Sequence, residues 1–228
     1  MGEPITLVIA RSGPGGEQPR EERVAVTAHH DDTVLALMLR AREQHPDLAF
    51  RCACRHGMCG DCALNLNGQP ALACRTLARE AAEGGELHLG PLPGYAVERD
   101  LVVDLSPFWA SFRAATPWLE PADASDAPLP GDLDDAFDAD ACILCGACAG
   151  ACPSSRNEAF PGPHGLYRAQ LRVLDRRDEA RGRLKQLGEL DGVARCRTVG
   201  VCTEVCPKGL DPADAIAALR ERVMRGRR

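Results

Sequence analysis

Four cysteines stand close together at Cys142, Cys145, Cys148 and Cys152, with Pro153 directly after the last. The spacing C-x2-C-x2-C-x3-C-P is the run that holds cubane iron–sulfur clusters. Three thiolates on one short helical turn can each reach a different iron of one cube. The fourth is set off by the longer step and the proline, and serves another cluster. C-x2-C pairs bind zinc as well, but zinc takes its four ligands from two separated pairs rather than from one short stretch.

A second run lies nearer the C-terminus: Cys196, Cys202 and Cys206, followed by Pro207. A full run would place a cysteine where Val199 stands, and valine cannot ligate iron. By the exchange of the last cysteine between paired runs, Cys206 completes the first cube with Cys142, Cys145 and Cys148. Cys152 joins Cys196 and Cys202. Three thiolates suit a cube lacking one corner, a [3Fe–4S] cluster.

A third group, Cys54, Cys59, Cys62 and Cys74, has the spacing C-x4-C-x2-C with a distant fourth member, the pattern for a [2Fe–2S] cluster. Gly57 and Gly60 suit a loop whose amides turn inward to donate to cluster sulfurs. Eleven of the twelve cysteines are thereby assigned. Cys52 is left over and reads as a small, partly buried residue. His56 reads as a solvated loop residue, since a Rieske centre needs two histidines. Asp61 reads as a loop polar.

These groups need elements to hold them. Residues 5–10 and 23–28 look like two strands around a Gly/Pro-rich turn at Gly13 to Gly16, and Asp31–Thr33 offers a helix start. Val34, Leu35, Leu37, Met38 and Ala41 give that helix an apolar face to about Gln44. Residues 63–67 form a strand, Asn67-Gly68 a tight turn, and 71–75 the return that carries Cys74 back. A last strand is expected at 86–90, and a strand-like run at 100–105. Ser106-Pro107 should open a short helix carrying Phe108, Trp109 and Phe112. Core or interface packing is expected of Trp109 and Trp118. Residues 121–140, rich in Pro, Ala and Asp, read as an acidic linker. Gly162-Pro163 reads as a chain break, 165–187 as one or two exposed helices, and 213–224 as a final helix opened by Asp211-Pro212.

The chain has 228 residues, 45% apolar and only 4% aromatic, with a net charge of −6. This length suits two small domains. The acidic balance argues against nucleic acid as a partner. The N-terminus has neither the basic nor the apolar region of a signal peptide, and no apolar run approaches a membrane span. Gly2 with Thr6 loosely fits a myristoylation pattern and reads as coincidence. Cysteines at metal spacings fit a reducing compartment.

The stretches F-R-C-A-C-R-H-G-M-C-G-D-C-A-L-N-L-N-G, R-D-L-V-V-D-L-S-P-F-W, C-I-L-C-G-A-C-A-G-A-C-P and G-V-A-R-C-R-T-V-G-V-C-T-E-V-C-P-K-G-L-D-P resemble the iron–sulfur subunit of the succinate dehydrogenase / fumarate reductase family. The resemblance covers nearly the whole chain. It implies an α+β fold: a β-grasp [2Fe–2S] ferredoxin-like domain over 1–105, then an α-helical ferredoxin domain over 106–228 with the [4Fe–4S] and [3Fe–4S] clusters. It implies a flavoprotein partner with FAD, a membrane anchor, a quinone, and a peripheral place on the cytoplasmic face of the inner membrane. Substrate chemistry would lie at the flavin, so no catalytic residue is expected in this chain. Pro153, Ser154, Arg197 and Lys208 are quinone-contact candidates by position. The dehydrogenase branch commonly has a Trp pair after Cys-Pro-Ser, where Ser155, Arg156 and Asn157 stand here, and a His where Arg197 stands. The alternatives are a free-standing multi-cluster ferredoxin and a fumarate reductase subunit served by a non-quinone donor.

Overall fold

The computed structural model describes residues 2–13, 20–121, 141–157, 160–175, 177–189 and 192–226. The acidic stretch at 122–140, Gly15 and Gly16 of the first turn, and Arg227 and Arg228 lie outside them. The chain divides into two compact units, Met1–Leu105 with Ile143–Gly150, and Ser106–Cys142 with Ala151–Arg228.

The first unit is built on a mixed five-stranded sheet. Strands β1 (Glu3–Arg11), β2 (Arg20–Ala28), β3 (Ala63–Leu66), β4 (Gln69–Leu72) and β5 (Glu86–Gly90) stand in the order β2-β1-β5-β3-β4. Only β1 and β5 are parallel, and the other pairs are antiparallel. Ile5, Leu7 and Ile9 are buried at every second position of β1, as are Val24, Val26 and Ala28 on β2, and the register sets Leu7 opposite Val24. Helix α1 (Val34–Gln44) lays Val34, Leu35, Leu37, Met38 and Ala41 into the same core. Its first turn is capped by Thr33, whose Oγ1 accepts from the Ala36 N–H at 3.3 Å. Between β3 and β4, Asn67 (φ +48°) and Gly68 (φ +86°) make a turn whose twist matches a hairpin. The short helix α2 (Ala78–Ala81) is tied to that turn, because the Asn67 amide donates to the Ala81 carbonyl at 2.7 Å.

The run at 100–105 is not one strand. Only Val102–Val103 (β7) pairs, with Val97–Arg99 (β6), in a separate two-stranded sheet. The reason is Asp100, which is buried with φ +49° and ends any extended chain there. Its carboxylate accepts from Arg11 Nε at 3.0 Å and from the Ser12 and Ala49 N–H groups at 2.9 Å each. Arg11 also reaches Glu22 and Asp47, so a buried charge is fully partnered.

The second unit is helical: α3 (Ser106–Ala114), α5 (Gly162–Leu174), α6 (Ala180–Glu189) and α8 (Pro212–Gly226), with the short helices α4 (Ala147–Ala151), which begins in the first unit, and α7 (Val201–Glu204). Two expectations are corrected. Gly162-Pro163 opens α5 rather than breaking the chain, because a proline in the first helical turn lacks an N–H that would go unpaired there anyway. That helix is also buried, not exposed. Gly165 and Ala169 let neighbours approach it, and Leu166, Ala169 and Val173 share a core with Leu187, Ile216, Leu219 and Val223. Its arginines follow the chain out of that core; Arg172 Nε donates to the Pro117 carbonyl at 3.1 Å. Trp109 and Trp118 are both exposed, so neither is core. Arg183, by contrast, is wholly buried, held by Asp178 through two hydrogen bonds of 2.6 and 2.8 Å, and donates to the Thr116 and Trp118 carbonyls.

Candidate iron–sulfur cluster sites

The loop from Cys54 to Cys62 is shaped by left-handed residues. Arg55 (φ +63°), Gly57 (φ +71°) and Gly60 (φ +78°) curl it so that the backbone N–H groups of His56 and Met58 both point at Cys54 Sγ, at 3.4 Å. The His56 amide first, then the Cys59 thiol, draw the Cys54 thiol down to about 6, which favours the thiolate a metal needs. The four thiols are neighbours, Cys54 of Cys59 and Cys62 of Cys74 and Cys59. Burial pushes the Cys62 thiol up to about 12, and the neighbouring Cys74 and Cys59 push the same way. A cationic group beside Cys62 would relieve the cost that burial and its neighbours put on its thiolate. Two pairs fit two irons better than a single tetrahedral ion does, and the inward amides fit sulfide acceptors. Cys52 packs against the hydrophobic core instead, and Asp61 and His56 are exposed.

In the first ferredoxin-like run, Leu144 (φ +52°) and Gly146 (φ +83°) flank Cys145. Tyr95 stands over this turn: its hydroxyl donates to the Gly146 carbonyl at 3.4 Å, and its pKa is raised by burial and then by the charges of Cys148 and Cys145. Cys142 and Cys206 pack beside Tyr167, Leu171 and Leu210 in the helical unit.

The second run repeats the backbone of the first. Thr198 (φ +56°) and Gly200 (φ +84°) flank Val199 just as Leu144 and Gly146 flank Cys145. Val199 is 60% exposed. Cys202 is buried, and burial first, then the charges of Cys152 and Cys196, push its thiol up to about 11. Cys152, Cys196 and Cys202 are therefore neighbours, with no fourth thiol where the turn would present one.

Beside this trio lies a cavity of about 410 Å3 lined by Pro153, Ser154, Arg156, Asn157, Arg195 and Arg197, among others. Pro153, Ser154 and Arg197 are thus brought together, while Lys208 is exposed elsewhere. Sequence reasoning missed Arg156 and Arg195 as lining residues. The signal for Arg195 was the alternation at 195–198, where Arg195 and Arg197 face this cavity and Cys196 and Thr198 face another of about 330 Å3. Ser154 is fixed at the rim by donating to the Arg195 carbonyl at 3.0 Å.

Residues 6–110 match the family model of the 2Fe-2S iron-sulfur cluster binding domain, and residues 138–210 that of the 4Fe-4S dicluster domain. The succinate dehydrogenase iron-sulfur subunit of Coxiella burnetii is 34% identical, over 96% of this chain and 97% of the relative. That of Paracoccus denitrificans is 35% identical, over 92% and 83%. The mitochondrial iron-sulfur subunit 1 of Oryza sativa succinate dehydrogenase [ubiquinone] is 37% identical, over 82% and 70%. A chain of the Mycobacterium smegmatis Sdh1 complex in the apo form superposes with a TM-score of 0.89 at 27% identity, covering 99% of this chain and 97% of that one.

Proposed function

Because the chain belongs to the family of succinate dehydrogenase iron–sulfur subunits, we propose that it relays single electrons between a flavoprotein carrying FAD and a quinone held with a membrane anchor. The clusters supply one-electron carriage, since a flavin can split a two-electron oxidation into single steps. This chain's own work is to hold the carriers, shield them and tune them through burial and amide donors.

The ligand sets we propose are Cys54, Cys59, Cys62 and Cys74 for [2Fe–2S]; Cys142, Cys145, Cys148 and Cys206 for [4Fe–4S]; and Cys152, Cys196 and Cys202 for [3Fe–4S]. Residues 1–105 would form the domain of the first set, and 106–228 that of the other two, although Ile143–Gly150 packs within the first compact unit. The observation that carries the reading is the repeated turn around Cys145 and Val199, the same backbone with the thiol present once and absent once. The arginine-lined cavity beside Cys196 is the place we assign to the quinone head group, where guanidinium donors can meet its carbonyl oxygens. Among the described residues no helix is long and apolar enough to cross a membrane. Attachment to the cytoplasmic face of the inner membrane would then come through an anchor subunit.

Low-temperature electron paramagnetic resonance on the anaerobically purified complex tests this. An oxidised-state signal from a three-iron centre, two further centres on reduction, and a co-purifying flavoprotein are expected. A silent oxidised sample with two interacting cubanes would sink the three-iron assignment. Recovery of the chain alone as a stable soluble carrier would favour a free-standing ferredoxin.

A further inference from the structure

Gly60 lies between Cys59 and Cys62, and its backbone rests directly on Cys145. A Cβ built on Gly60 would stand 2.7 Å from Cys145 Cα, 2.9 Å from Cys145 Cβ and 3.1 Å from the Ile143 carbonyl oxygen. Gly60 and Ile143–Gly150 belong to the same compact unit, and Ile143 and Cys145 pack against its core. The other side of the turn is gripped in the same manner. A Cβ on Gly146 would stand 3.2 Å from Leu92 Cδ2, one on Gly150 would stand 2.5 Å from the Pro93 carbonyl oxygen, and one on Gly94 would stand 3.0 Å from the Gly150 carbonyl oxygen. Glycines thus let Cys145–Gly150 be clasped, backbone to backbone, between the Cys54–Cys62 loop and residues 92–95.

This arrangement does more than build a turn. The left-handed φ of Gly60 explains a glycine by itself, as it does at Gly57. The two differ in what a side chain would strike. At Gly57 it would meet the flexible side chain of Arg75, at 2.7 Å; at Gly60 it would meet the main chain of a cubane ligand. Electron tunnelling falls exponentially with separation, so a ligand backbone touching the next ligand's loop is where distance counts most.

We propose that Gly60 is the positioning residue for electron transfer between the first two clusters: its bare Cα, seated on Cys145, sets their separation. The proposal rests on the reading of Cys59 and Cys145 as ligands of neighbouring clusters. It predicts that any side chain at residue 60 drives Cys145 back by most of an ångström, the gap between 2.7 Å and ordinary contact at 3.4 Å.

The test is microwave power saturation of the reduced [2Fe–2S] signal in the assembled complex, poised with the cubane oxidised and then reduced. Reducing the cubane should speed relaxation of the [2Fe–2S] spin in the wild type. In Gly60→Ala that enhancement should fall by a third or more, since dipolar relaxation drops with the sixth power of separation, while iron content and spin counts hold. Gly68→Ala, which carries the same left-handed strain in the β3–β4 turn with open space around it, should keep the wild-type enhancement. Should Gly60→Ala fail to assemble, Gly60→Asn replaces it, because asparagine accepts the left-handed backbone yet carries the same Cβ. Unchanged relaxation in either residue-60 variant would overturn the proposal. So would loss of the [2Fe–2S] cluster from both while Gly68→Ala stays loaded, which would make Gly60 a loop-building residue only. A wild type with no [2Fe–2S] signal would overturn the ligand reading itself, a different failure.

Discussion

Val199 stands in a turn already shaped for a thiol, because Thr198 and Gly200 adopt the conformations of Leu144 and Gly146 around Cys145. The two turns share their flanking backbone conformation, and Val199 stands exposed where Cys145 is packed. Val199→Cys should therefore supply the missing ligand with no rearrangement of the chain. The three-iron signal of the oxidised complex should disappear, and a further cubane signal should grow on reduction. A variant that keeps the oxidised signal would show that the turn, not the side chain, excludes the fourth iron. Cys52 offers the contrast: it packs on the core of the first unit and makes no part of the thiol pairs.

At the scale of elements, His164 joins α5 to α3. Its ring stacks on Phe108 with centroids 4.0 Å apart, and its Nε2 donates to the Phe108 carbonyl at 3.1 Å. Burial holds its pKa down, to about 4, so the folded protein keeps it neutral in mild acid. The unfolded chain protonates it below about 6.5. Between those values the unfolded state binds more protons, so this contribution is complete above about 6.5 and is lost as pH falls toward 4. The loss between pH 7 and pH 5 is about 2 kcal/mol. His164→Phe preserves a stacked ring and cannot titrate. Urea unfolding of both proteins at the two pH values should show the variant losing about 2 kcal/mol less than the wild type. Equal losses would mean that His164 is not the titrating group.

At the scale of the whole molecule, what matters is the path from flavin to quinone, and the arginine-lined cavity would be its end. Arg156→Gln with Arg197→Gln should raise the KM for quinone by at least about tenfold, the effect of losing even one charge-assisted hydrogen bond. Succinate-driven reduction of an artificial one-electron acceptor should stay at wild-type rates. A fall in both activities alike would place these arginines in folding rather than in quinone contact. The 2Fe-2S and 4Fe-4S dicluster domains were legible in the chain as written, because thiol count and spacing are linear properties: x4 then x2 for one loop and repeated x2 steps for the turns. The alternating strands and the helix at 34–44 were legible for the same kind of reason, since burial at period two or three to four is printed along the chain. The arginine-rich α5 misled because residue content reports polarity, whereas burial depends on which neighbours small residues admit. Asp100 could not be foreseen as a strand-ending anchor, since its partners Arg11, Ser12 and Ala49 are remote in sequence. The seat of Gly60 on Cys145 belongs to the same class. Local spacing chooses what a loop can bind, but only folding brings 85 residues of chain back to decide what that loop must touch.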